Sequence, residues 1–367
     1  MTFSRLSFES VFIDESGGNV KTPQGEYLTE GQFPVVDQGR ALIGGYTNAR
    51  ERLCGHGRPA IVFGDHTRCI KYINFPFCMG ADGVKVLRPR IDADLKYLYY
   101  FLSSLDIPSA GYDRHYKYLK RIEVVLPPLP EQRRIAAILD QADALRAKRR
   151  EALAQLDSLT QSIFIEMFGD PVRNERRWRS AAISSLCRLV RGSSPRPQGD
   201  PRYFGGPVPR LMIADITRDG WLVTPRIDSL TIEGATKSRP VSAGTVVMAV
   251  SGNIGLVSRL AVDACVHDGF VAFTGLDTAV CDARYFLALL HLSKAAHERS
   301  KAGAIFINLT TDDIKAMLVP TPPLDLQQTF ATRNQAVEFL KTTHRAALAE
   351  LDALFASLQH RAFAGAL

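Results

Sequence analysis

Two long segments of the chain share one pattern of apolar and polar positions. They are residues 127–168 and 322–363, and at a constant offset of 195 positions 15 of the 42 aligned residues are identical. Neither Pro nor Gly occurs between Pro130 and Gly169. The first segment therefore predicts an uninterrupted helix of about 38 residues, roughly 57 Å long. The second predicts a copy of it, so the chain carries an internal duplication.

Apolar residues in both segments recur with the heptad spacing of a coiled-coil seam. A polar residue, Arg149 in the first copy and His344 in the second, interrupts the seam at the equivalent place. This pattern favours packing of the two helices on each other, and we expect them to run antiparallel. Two separate core helices are the alternative. The predicted seam positions are Ile138, Ala142, Leu145, Ala152, Leu156, Leu159 and Ile163, and then Phe330, Val337, Leu340, Ala347, Leu351, Leu354 and Leu358.

The segment before the first long helix, residues 1–126, has the pattern of a small α/β domain. Its short apolar runs are separated by Gly, Asp and Asn, which predicts strands joined by turns. A helix is predicted over residues 92–105, with Asp92 as its expected cap, because the apolar residues there follow helical spacing. The predicted strands begin at Pro34, Pro59, Cys69 and Gly83.

The same plan returns between the two long helices. Strands are predicted from Val208 to Ile216 and from Gly244, Gly255 and Gly269, followed by a helix over residues 282–297. A short helix capped by Thr310, with Asp313 at the capping-box position, leads into the second long helix. The predicted fold is thus two α/β globular domains, residues 1–126 and 170–320. Each is followed by a long helix, residues 127–169 and 321–367, in a pseudo-twofold internal repeat.

Composition limits the setting of the protein. With 367 residues the chain is long enough for two or three domains, and a formal net charge of +7 permits a polyanionic partner. The six cysteines lack metal-ligand spacing, so we expect buried thiols in a reducing cytoplasm. Neither a signal peptide nor an apolar run of about 18 residues is evident. We expect a cytoplasmic protein with no membrane partner.

The sequence offers no group of residues typical of an enzyme. The nearest match to a methyltransferase catalytic loop, residues 74–77, has Phe75 where Pro is required, and residues 234–238 are too short for a phosphate-binding loop. The acid-x-Lys triplets at Asp94 and Asp313 lie in helix-like stretches without a matched upstream acid pair. We therefore expect a non-catalytic chain with no cofactor and no metal site.

An antiparallel pair of long helices would relate the two globular domains by a pseudo-twofold axis. Double-stranded DNA has a matching local twofold, and proteins with two similar readers at a fixed separation contact two half-sites in successive grooves. Because the two domains differ in sequence, the duplication predicts a DNA site of two unlike halves around an unread spacer.

Several stretches resemble the specificity subunit of type I restriction-modification systems. The run LPPLPEQ from Leu126, the run IAAILDQADAL and the segment from ALAQLDSL to FGDP resemble the central conserved region of that family. The second long helix resembles its distal conserved region, although Asp325 and Leu326 replace the Pro-Glu of the motif. The globular segments are similar in layout to its two target recognition domains, including a G-x(2)-P pattern at Gly31 and Gly206.

This resemblance implies a non-catalytic subunit that reads a bipartite, asymmetric DNA site with two tandem target recognition domains. The implied partners are double-stranded DNA, two DNA adenine methyltransferase (modification) subunits and, for restriction, nuclease and translocase subunits. A stand-alone coiled-coil adaptor, whose globular domains bind protein or glycan, is the alternative function. A neighbouring gene for an adenine methyltransferase would favour the first.

DNA contacts are expected from loop residues of the globular domains, because Arg and Lys bind phosphates while Arg, Asn and Gln read base edges. Each candidate alone is also consistent with a solvated surface residue, so the prediction depends on clusters in which basic residues alternate with aromatic residues and Gly. In the first domain the candidates are Lys21, Thr22, Arg40, Arg50, Arg68, Lys71, Arg114, His115, Tyr116, Lys117 and Tyr118. In the second they are Arg191, Ser193, Ser194, Arg196, Gln198, Arg202, Tyr203, Lys237, Arg239 and Lys301.

Overall fold

The computed structural model describes residues 3–54, 57–81, 83–108, 113–299 and 310–367. The chain forms two compact units: unit 1 comprises Met1–Glu151 and Arg345–Leu367, and unit 2 comprises Ala152–His344. Each unit therefore contains one globular segment and part of both long helices. The predicted domain boundaries separate globule from helix, whereas these units divide each helix near its middle.

Among its described residues, the first part of the chain contains nine strands and four α-helices, with short 3-10 helices at Gln24–Glu26 and Arg50–Arg52. In order they are β1 (Ser4–Ser7), α1 (Phe8–Val11), β2 (Phe12–Asp14), β3 (Phe33–Val36), β4 (Gly45–Thr47), β5 (Ala60–Gly64), β6 (Ile70–Ile73), β7 (Cys78–Met79), β8 (Val84–Pro89), α2 (Leu95–Ser103), α3 (Tyr116–Leu119), β9 (Glu123–Leu126) and α4 (Leu129–Phe168).

The second part contains the remaining elements. In order they are β10 (Ser180–Ala182), α5 (Ile183–Leu186), β11 (Arg188–Arg191), β12 (Phe204–Leu211), α6 (Ile213–Asp219), β13 (Leu222–Val223), β14 (Asp228–Leu230), α7 (Ile232–Thr236), β15 (Arg239–Val241), β16 (Val246–Ala249), β17 (Val257–Leu260), β18 (Ala264–Val266), β19 (Phe270–Thr274), α8 (Ala283–Arg299), α9 (Thr311–Ala316), β20 (Leu318–Pro320) and α10 (Leu324–Phe363).

Unit 1 is built on two sheets and a ribbon. The strand orders are β2-β8-β5-β6 and β4-β3-β7, with β3 antiparallel to β4 and parallel to β7. All five residues of β5 are buried, as expected for a short apolar run in the middle of a sheet. The ribbon pairs β1 with β9 immediately before α4 begins.

Unit 2 repeats this topology and adds one edge strand to each sheet, β13 to the first and β15 to the second. Its sheets have the orders β11-β19-β16-β17-β13 and β14-β12-β18-β15, and the ribbon pairs β10 with β20 immediately before α10. Strand β12 is antiparallel to β14 and parallel to β18, as β3 is to β4 and β7. The shared strand order confirms the predicted internal repeat of α/β globular segments and long helices.

Two local predictions were wrong. Helix α2 is capped by Asp94 and not by Asp92, because the Asp94 carboxylate accepts the Tyr97 N–H at 2.8 Å. The strand predicted from Val208 ends at Leu211, because the following residues form α6, whose first turn is closed by the Asp215 carboxylate. By contrast, the capping box of Thr310 and Asp313 is confirmed.

In unit 1 the first part of α4 and the last part of α10 lie antiparallel and share one core with the globular segment. Arg146 contacts Asp352, while Arg134, earlier in α4, reaches Leu367 beyond the end of α10. The Phe363 ring of α10 packs edge-on against Tyr97 of α2, with centroids 5.6 Å apart. The same buried cluster includes Ile135, Ala136 and Leu139 of α4 and Ala362 of α10.

In unit 2 the last part of α4 and the first part of α10 are also antiparallel. Phe164 and Phe168 of α4 pack against Tyr285 of α8 and Phe330 of α10, with ring centroids 4.8–5.6 Å apart. Phe168 is the repeat equivalent of Phe363, so each long helix ends on the tyrosine of a globular segment. Aromatic clusters of this kind typically contribute about 3–5 kcal/mol per ring on truncation to Ala.

A buried glutamine anchors the start of each long helix. Gln132 Nε2 donates to the Pro127 carbonyl at 2.8 Å, and its Oε1 accepts the Asp94 N–H at 2.9 Å. Gln327 repeats both bonds, with the Pro322 carbonyl at 2.7 Å and the Asp282 N–H at 2.9 Å. Because each glutamine satisfies buried backbone groups in two elements, the same residue type is required in both copies.

Equivalent ion pairs join the two long helices in each unit. Arg146 Nε lies 2.6 Å from the Asp352 carboxylate, and Lys341 Nζ lies 2.9 Å from the Asp157 carboxylate. Each cation also pairs with an acid three residues earlier on its own helix, and all members are equivalent at the repeat offset. The sets are Arg146, Asp352 and Asp143 in unit 1, and Lys341, Asp157 and Glu338 in unit 2.

Pairing of the two helices is confirmed, but four of the predicted seam leucines are not buried. Leu145 and its equivalent Leu340 are 51% and 45% exposed, and Leu159 and its equivalent Leu354 are 44% and 49% exposed. Each helix packs mainly against a globular segment, and contacts with that segment determine which face of the helix is buried. The seam prediction assumed that the other helix was the main partner.

The cysteine side chains are free thiols, of which Cys69 is half-buried and the other five are buried. Burial raises the pKa of Cys54 to about 11 and that of Cys281 to about 12, which keeps both thiols protonated and inert. No helix in the described ranges is long and apolar enough to cross a membrane.

Candidate nucleic-acid interface

In unit 2 the predicted residues surround the loop that follows β11. Arg191 is the last residue of β11, and its backbone carbonyl accepts a hydrogen bond from Arg239 Nε of β15 at 3.3 Å. The hydroxyl of Ser193, in the loop, donates to the Lys237 carbonyl at 3.4 Å. These bonds bring Arg191, Lys237 and Arg239 to one surface. We call this surface, together with the loop residues 193–202, the β11 surface. Arg196 and Gln198 are exposed in the same loop.

Tyr203 lies at the end of this loop with its ring buried. The Arg202 guanidinium is 5.3 Å from the ring centroid and the Lys237 ammonium is 5.6 Å from it. Arg202 also pairs with Asp200 at 2.7 Å. Gly234 is required beside this residue, because a Cβ there would lie 2.1 Å from the Tyr203 carbonyl oxygen. The ring therefore positions two cations and does not offer a face for base stacking.

A carboxylate that sequence analysis missed lies within the β11 surface. Asp268, in the turn between β18 and β19, accepts the Ser194 hydroxyl at 2.7 Å and Arg196 Nη2 at 3.4 Å. Arg191 Nε donates to the backbone carbonyl of Asp268 at 3.3 Å. The hydrogen bond from Ser194 is the main reason that the pKa of Asp268 lies below its ordinary value, so the group is a carboxylate at neutral pH.

Arg210 of β12 is buried beneath this carboxylate. It pairs with Asp228, and its Nη2 donates to the Ser194 hydroxyl at 3.1 Å. Burial and the Arg210 charge lower the pKa of His267, whose Nδ1 accepts the Gly269 N–H at 3.0 Å. A continuous chain of polar contacts therefore connects the buried arginine to the exposed carboxylate.

In unit 1 the loop after β2 occupies the equivalent place. The Thr22 N–H donates to the Met79 carbonyl of β7 at 2.9 Å, as the Ser193 N–H donates to the Val266 carbonyl of β18 at 3.1 Å. Thr22 is fully buried, and its Oγ1 has no hydrogen-bond partner among the residues that the structure describes. Lys21 beside it is exposed.

Arg40, Arg68 and Lys71 lie around the turn between β5 and β6. The loop that carries Arg40 contacts this turn, because the Thr67 hydroxyl donates to the Gln38 carbonyl. Arg68 is exposed and donates to the Ile107 carbonyl at 2.7 Å. Lys71 is buried, its Nζ donates to the Asp37 carbonyl at 2.8 Å, and burial lowers its pKa. Arg50 is exposed on its 3-10 helix.

The basic aromatic segment 114–118 is only partly at the surface. The His115 N–H donates to the Asp65 carbonyl at 2.8 Å, and its ring Nδ1 lies 2.9 Å from the same oxygen. The Tyr116 N–H donates to the Asp65 carboxylate at 2.7 Å. His115 and Tyr116 are buried, Tyr118 is half-buried, and Arg114 and Lys117 are exposed. The segment is thus held against the turn between β5 and β6, and the Arg114 and Lys117 side chains are exposed to solvent.

The structure therefore sorts the predicted residues by accessibility. Thr22, Lys71, His115, Tyr116 and Tyr203 are buried, while Lys301 lies outside the described residues. Sequence reasoning missed Arg210 and Asp268. A signal for Asp268 was present in the sequence, since the Asp268-Gly269 pair aligns with Asp82-Gly83 of the first globular segment.

A family model described as "Type I restriction modification DNA specificity domain" matches residues 18–155 and 175–351. The globular segments and their long helices are therefore DNA specificity domains. The chain belongs to this type I restriction-modification family. The resemblance drawn from the LPPLPEQ run is confirmed.

Individual relatives agree with this assignment. The chain is similar to the type I restriction enzyme EcoR124I/EcoR124II specificity subunit of Escherichia coli, with 23% identity over 317 residues, covering 81% of this chain and 77% of that protein. It is also similar to the putative type I restriction enzyme MjaX specificity subunit of Methanocaldococcus jannaschii, with 22% identity over 240 residues, covering 60% of this chain and 54% of that protein.

Solved structures share the fold. The crystal structure of a type I restriction-modification S subunit from M. genitalium matches with a TM-score of 0.61 and 14% identity, covering 99% of this chain and 96% of that one. A chain from the structure "Structural basis underlying complex assembly and conformational transition of the type I R-M system" matches with a TM-score of 0.51 and 18% identity, covering 100% of this chain and 98% of that one.

Proposed function

We propose that this chain is the DNA-specificity subunit of a type I restriction-modification complex. Each unit reads one half of a bipartite, asymmetric DNA site. The chain also holds adenine methyltransferase subunits, with restriction and translocase subunits as further partners. Family membership supports this function over a stand-alone adaptor. The two units share one strand order but carry different side chains on equivalent loops, which is what unlike half-sites require.

The β11 surface is the observation that carries the proposal. It gathers guanidinium, ammonium and hydroxyl groups from β11, its loop, β15 and the residue that follows α7, all of which can donate to phosphate oxygens or base edges. Its exposed or half-buried members are Arg191, Ser193, Ser194, Arg196, Gln198, Arg202, Lys237 and Arg239. In unit 1 the corresponding set is Lys21, Arg40, Arg50, Arg68, Arg114, Lys117 and Tyr118. Lys301 remains a sequence-based candidate.

The chain itself is proposed to be non-catalytic. We expect the purified chain to transfer no methyl group from S-adenosylmethionine to DNA, because its sequence offers neither a cofactor loop nor a catalytic Asn/Asp-Pro-Pro motif. The measurement is methyl incorporation into DNA by the chain alone, with the complex containing its methyltransferase subunits as the positive control. Robust methylation by the isolated chain would overturn the proposed division of labour.

Single arginine substitutions test the two surfaces. Arg196→Ala in unit 2 and Arg114→Ala in unit 1 are expected to weaken DNA binding by the assembled complex. A lost base contact should cost about 1–3 kcal/mol and relax one position of one half-site. A lost phosphate contact should weaken binding to all sequences and reduce the salt slope by about one.

DNA affinity measured over a range of salt concentrations separates these results. Arg173→Ala is the matched control, because Arg173 is an exposed arginine of unit 2 that pairs with Glu175 at 3.7 Å and lies outside the β11 surface. If neither test substitution alters affinity, salt slope or site preference relative to this control, the surfaces are wrongly assigned.

A further inference from the structure

Asp268 places a negative charge in the middle of the basic β11 surface. Its side chain is 52% exposed, and that of Arg196, which lies 3.4 Å from it, is 68% exposed. An exposed ion pair of this kind contributes only about 0–1 kcal/mol to stability. The carboxylate also weakens the attraction of the surface for phosphates. Neither stability nor general DNA affinity therefore accounts for a carboxylate at this place.

Hydrogen bonds from the interior of unit 2 hold the Asp268 carboxylate in a fixed orientation. Ser194 donates to one of its oxygens at 2.7 Å, and Ser194 is itself held by the buried Arg210 at 3.1 Å. The chain entering the loop is fixed as well, since a Cβ at Gly192 would lie 2.0 Å from the His267 carbonyl oxygen. One carboxylate oxygen is thus positioned by the interior, and the other faces Arg196.

The exposed end of this network presents a donor beside an acceptor. Arg196 Nη2 and Asp268 Oδ2 are 3.4 Å apart. In the major groove a G·C pair presents the guanine O6 and N7 acceptors beside the cytosine N4 donor. Guanine O6 and cytosine N4 are hydrogen-bonded to each other, so they lie about 2.9 Å apart. The protein pair and the base pair are therefore complementary in both order and spacing.

We propose that Arg196 and Asp268 together read one G·C base pair in the half-site recognised by unit 2. Arg196 donates to guanine O6 and N7, and Asp268 accepts from cytosine N4. This inference rests on the proposed function and adds Asp268 as a specificity-determining residue. Asp268 disfavours an A·T pair in the same orientation, because thymine presents an O4 acceptor where Asp268 requires an amino donor. The Arg196 bond to N7 disfavours T·A, which presents the thymine methyl group in place of that acceptor.

The test uses the complete chain assembled with its methyltransferase subunits and methylome sequencing of cells that express the complex. Asp268→Ala is expected to relax one G·C position of one half-site, by about 5- to 150-fold in discrimination, and to leave the other half-site unchanged. Binding to non-specific DNA should rise, because a negative charge has been removed. Arg196→Lys keeps the charge but loses the bidentate fork, so the same position should relax.

Glu233→Gln is the charge-matched control, because Glu233 is an exposed acid in the first turn of α7, near the β11 surface, and is not one of the proposed DNA contacts. It should raise non-specific affinity while keeping the motif intact. Arg196→Lys alters an exposed side chain and therefore reports on the base pair even where Asp268→Ala impairs folding.

The outcomes separate the two proposals. A bipartite motif from the unaltered complex supports the proposed function, and its absence overturns that function. With the motif present, the inference on Asp268 fails if Asp268→Ala and Arg196→Lys leave every position intact, relax different positions, or relax a position that is not G·C. An unchanged motif with uniformly altered affinity would mean that Arg196 contacts only phosphate.

Discussion

Insertion of four helix-forming residues after Arg150 and after Arg345 is expected to preserve both half-site sequences and to lengthen the spacer between them by one or two base pairs. The insertion points lie within one residue of the boundaries between the two units. Helices α4 and α10 are each 40 residues long and continuous through these boundaries. Four residues add about 6 Å and a rotation of about 40° to each helix.

The added length and rotation can be compared with those of whole base pairs in double-stranded DNA. One base pair advances about 3.4 Å and turns about 35°, so one added pair nearly matches the rotation and two nearly match the translation. The expected change in the spacer therefore lies at one or two pairs. The cross-helix ion pairs survive the insertion. Arg146 and Asp352 stay together in unit 1, and Lys341 and Asp157 stay together in unit 2.

A three-residue insertion at the same points is the matched control. It adds about 4.5 Å but turns the helix about 60° in the opposite sense, and it shifts the heptad pattern. Because no whole number of base pairs matches that combination, this variant is expected to lose methylation. Methylome sequencing of both variants decides the matter. An unchanged spacer in the four-residue variant, or new half-site sequences in either, would show that the helices do not set the spacing.

The long helices could be predicted from the sequence because their evidence is local. Heptad spacing, proline at the start and Gly169 after the end all lie within the segments themselves. The face that each helix buries could not be predicted in the same way, because it depends on residues distant in sequence. Gln132 bonds to Asp94 and Phe363 packs on Tyr97, and no periodicity within a helix encodes such partners.

The candidate site shows a similar division. The basic residues that the structure brings together on the β11 surface could be singled out as candidates, because composition and loop position are visible in the sequence. Their contact with DNA stays a prediction. The burial of Lys71 was missed although a signal existed, since alternation along β6 puts Lys71 on the same face as Ile73, which is buried. The Asp268 network was not predictable, because it joins residues of β12 and two separate loops.

Substitution of Lys341 by Glu is expected to destabilise unit 2 by about 3–5 kcal/mol. The Lys341 side chain is only 2% exposed and pairs with Asp157 and Glu338. Its ammonium also lies 5.5 Å from the centroid of the Trp221 ring. The substitution would bury a carboxylate beside two others and against the negative face of an indole, with no cation to compensate.

The measurement is hydrogen exchange of unit 2 amides under increasing denaturant, since a chain with two units need not unfold in one step. Lys315→Glu is the matched control, because Lys315 also has an acid three residues earlier, Asp312, but the two side chains are 45% and 88% exposed. That reversal should cost less than about 1 kcal/mol.

A second substitution tests whether loss of the ion pair between α4 and α10 causes the destabilisation. Asp157→Lys in the Lys341→Glu background places a cation on α4 opposite the new carboxylate of α10, and it should recover about 1–2 kcal/mol through their coupling. Asp157→Lys in the unaltered background should instead destabilise unit 2, because it places two cations together. If the double variant is no more stable than Lys341→Glu alone, the pair between α4 and α10 does not hold the two helices in register within unit 2. Lys341 would then act through Glu338 and Trp221 alone.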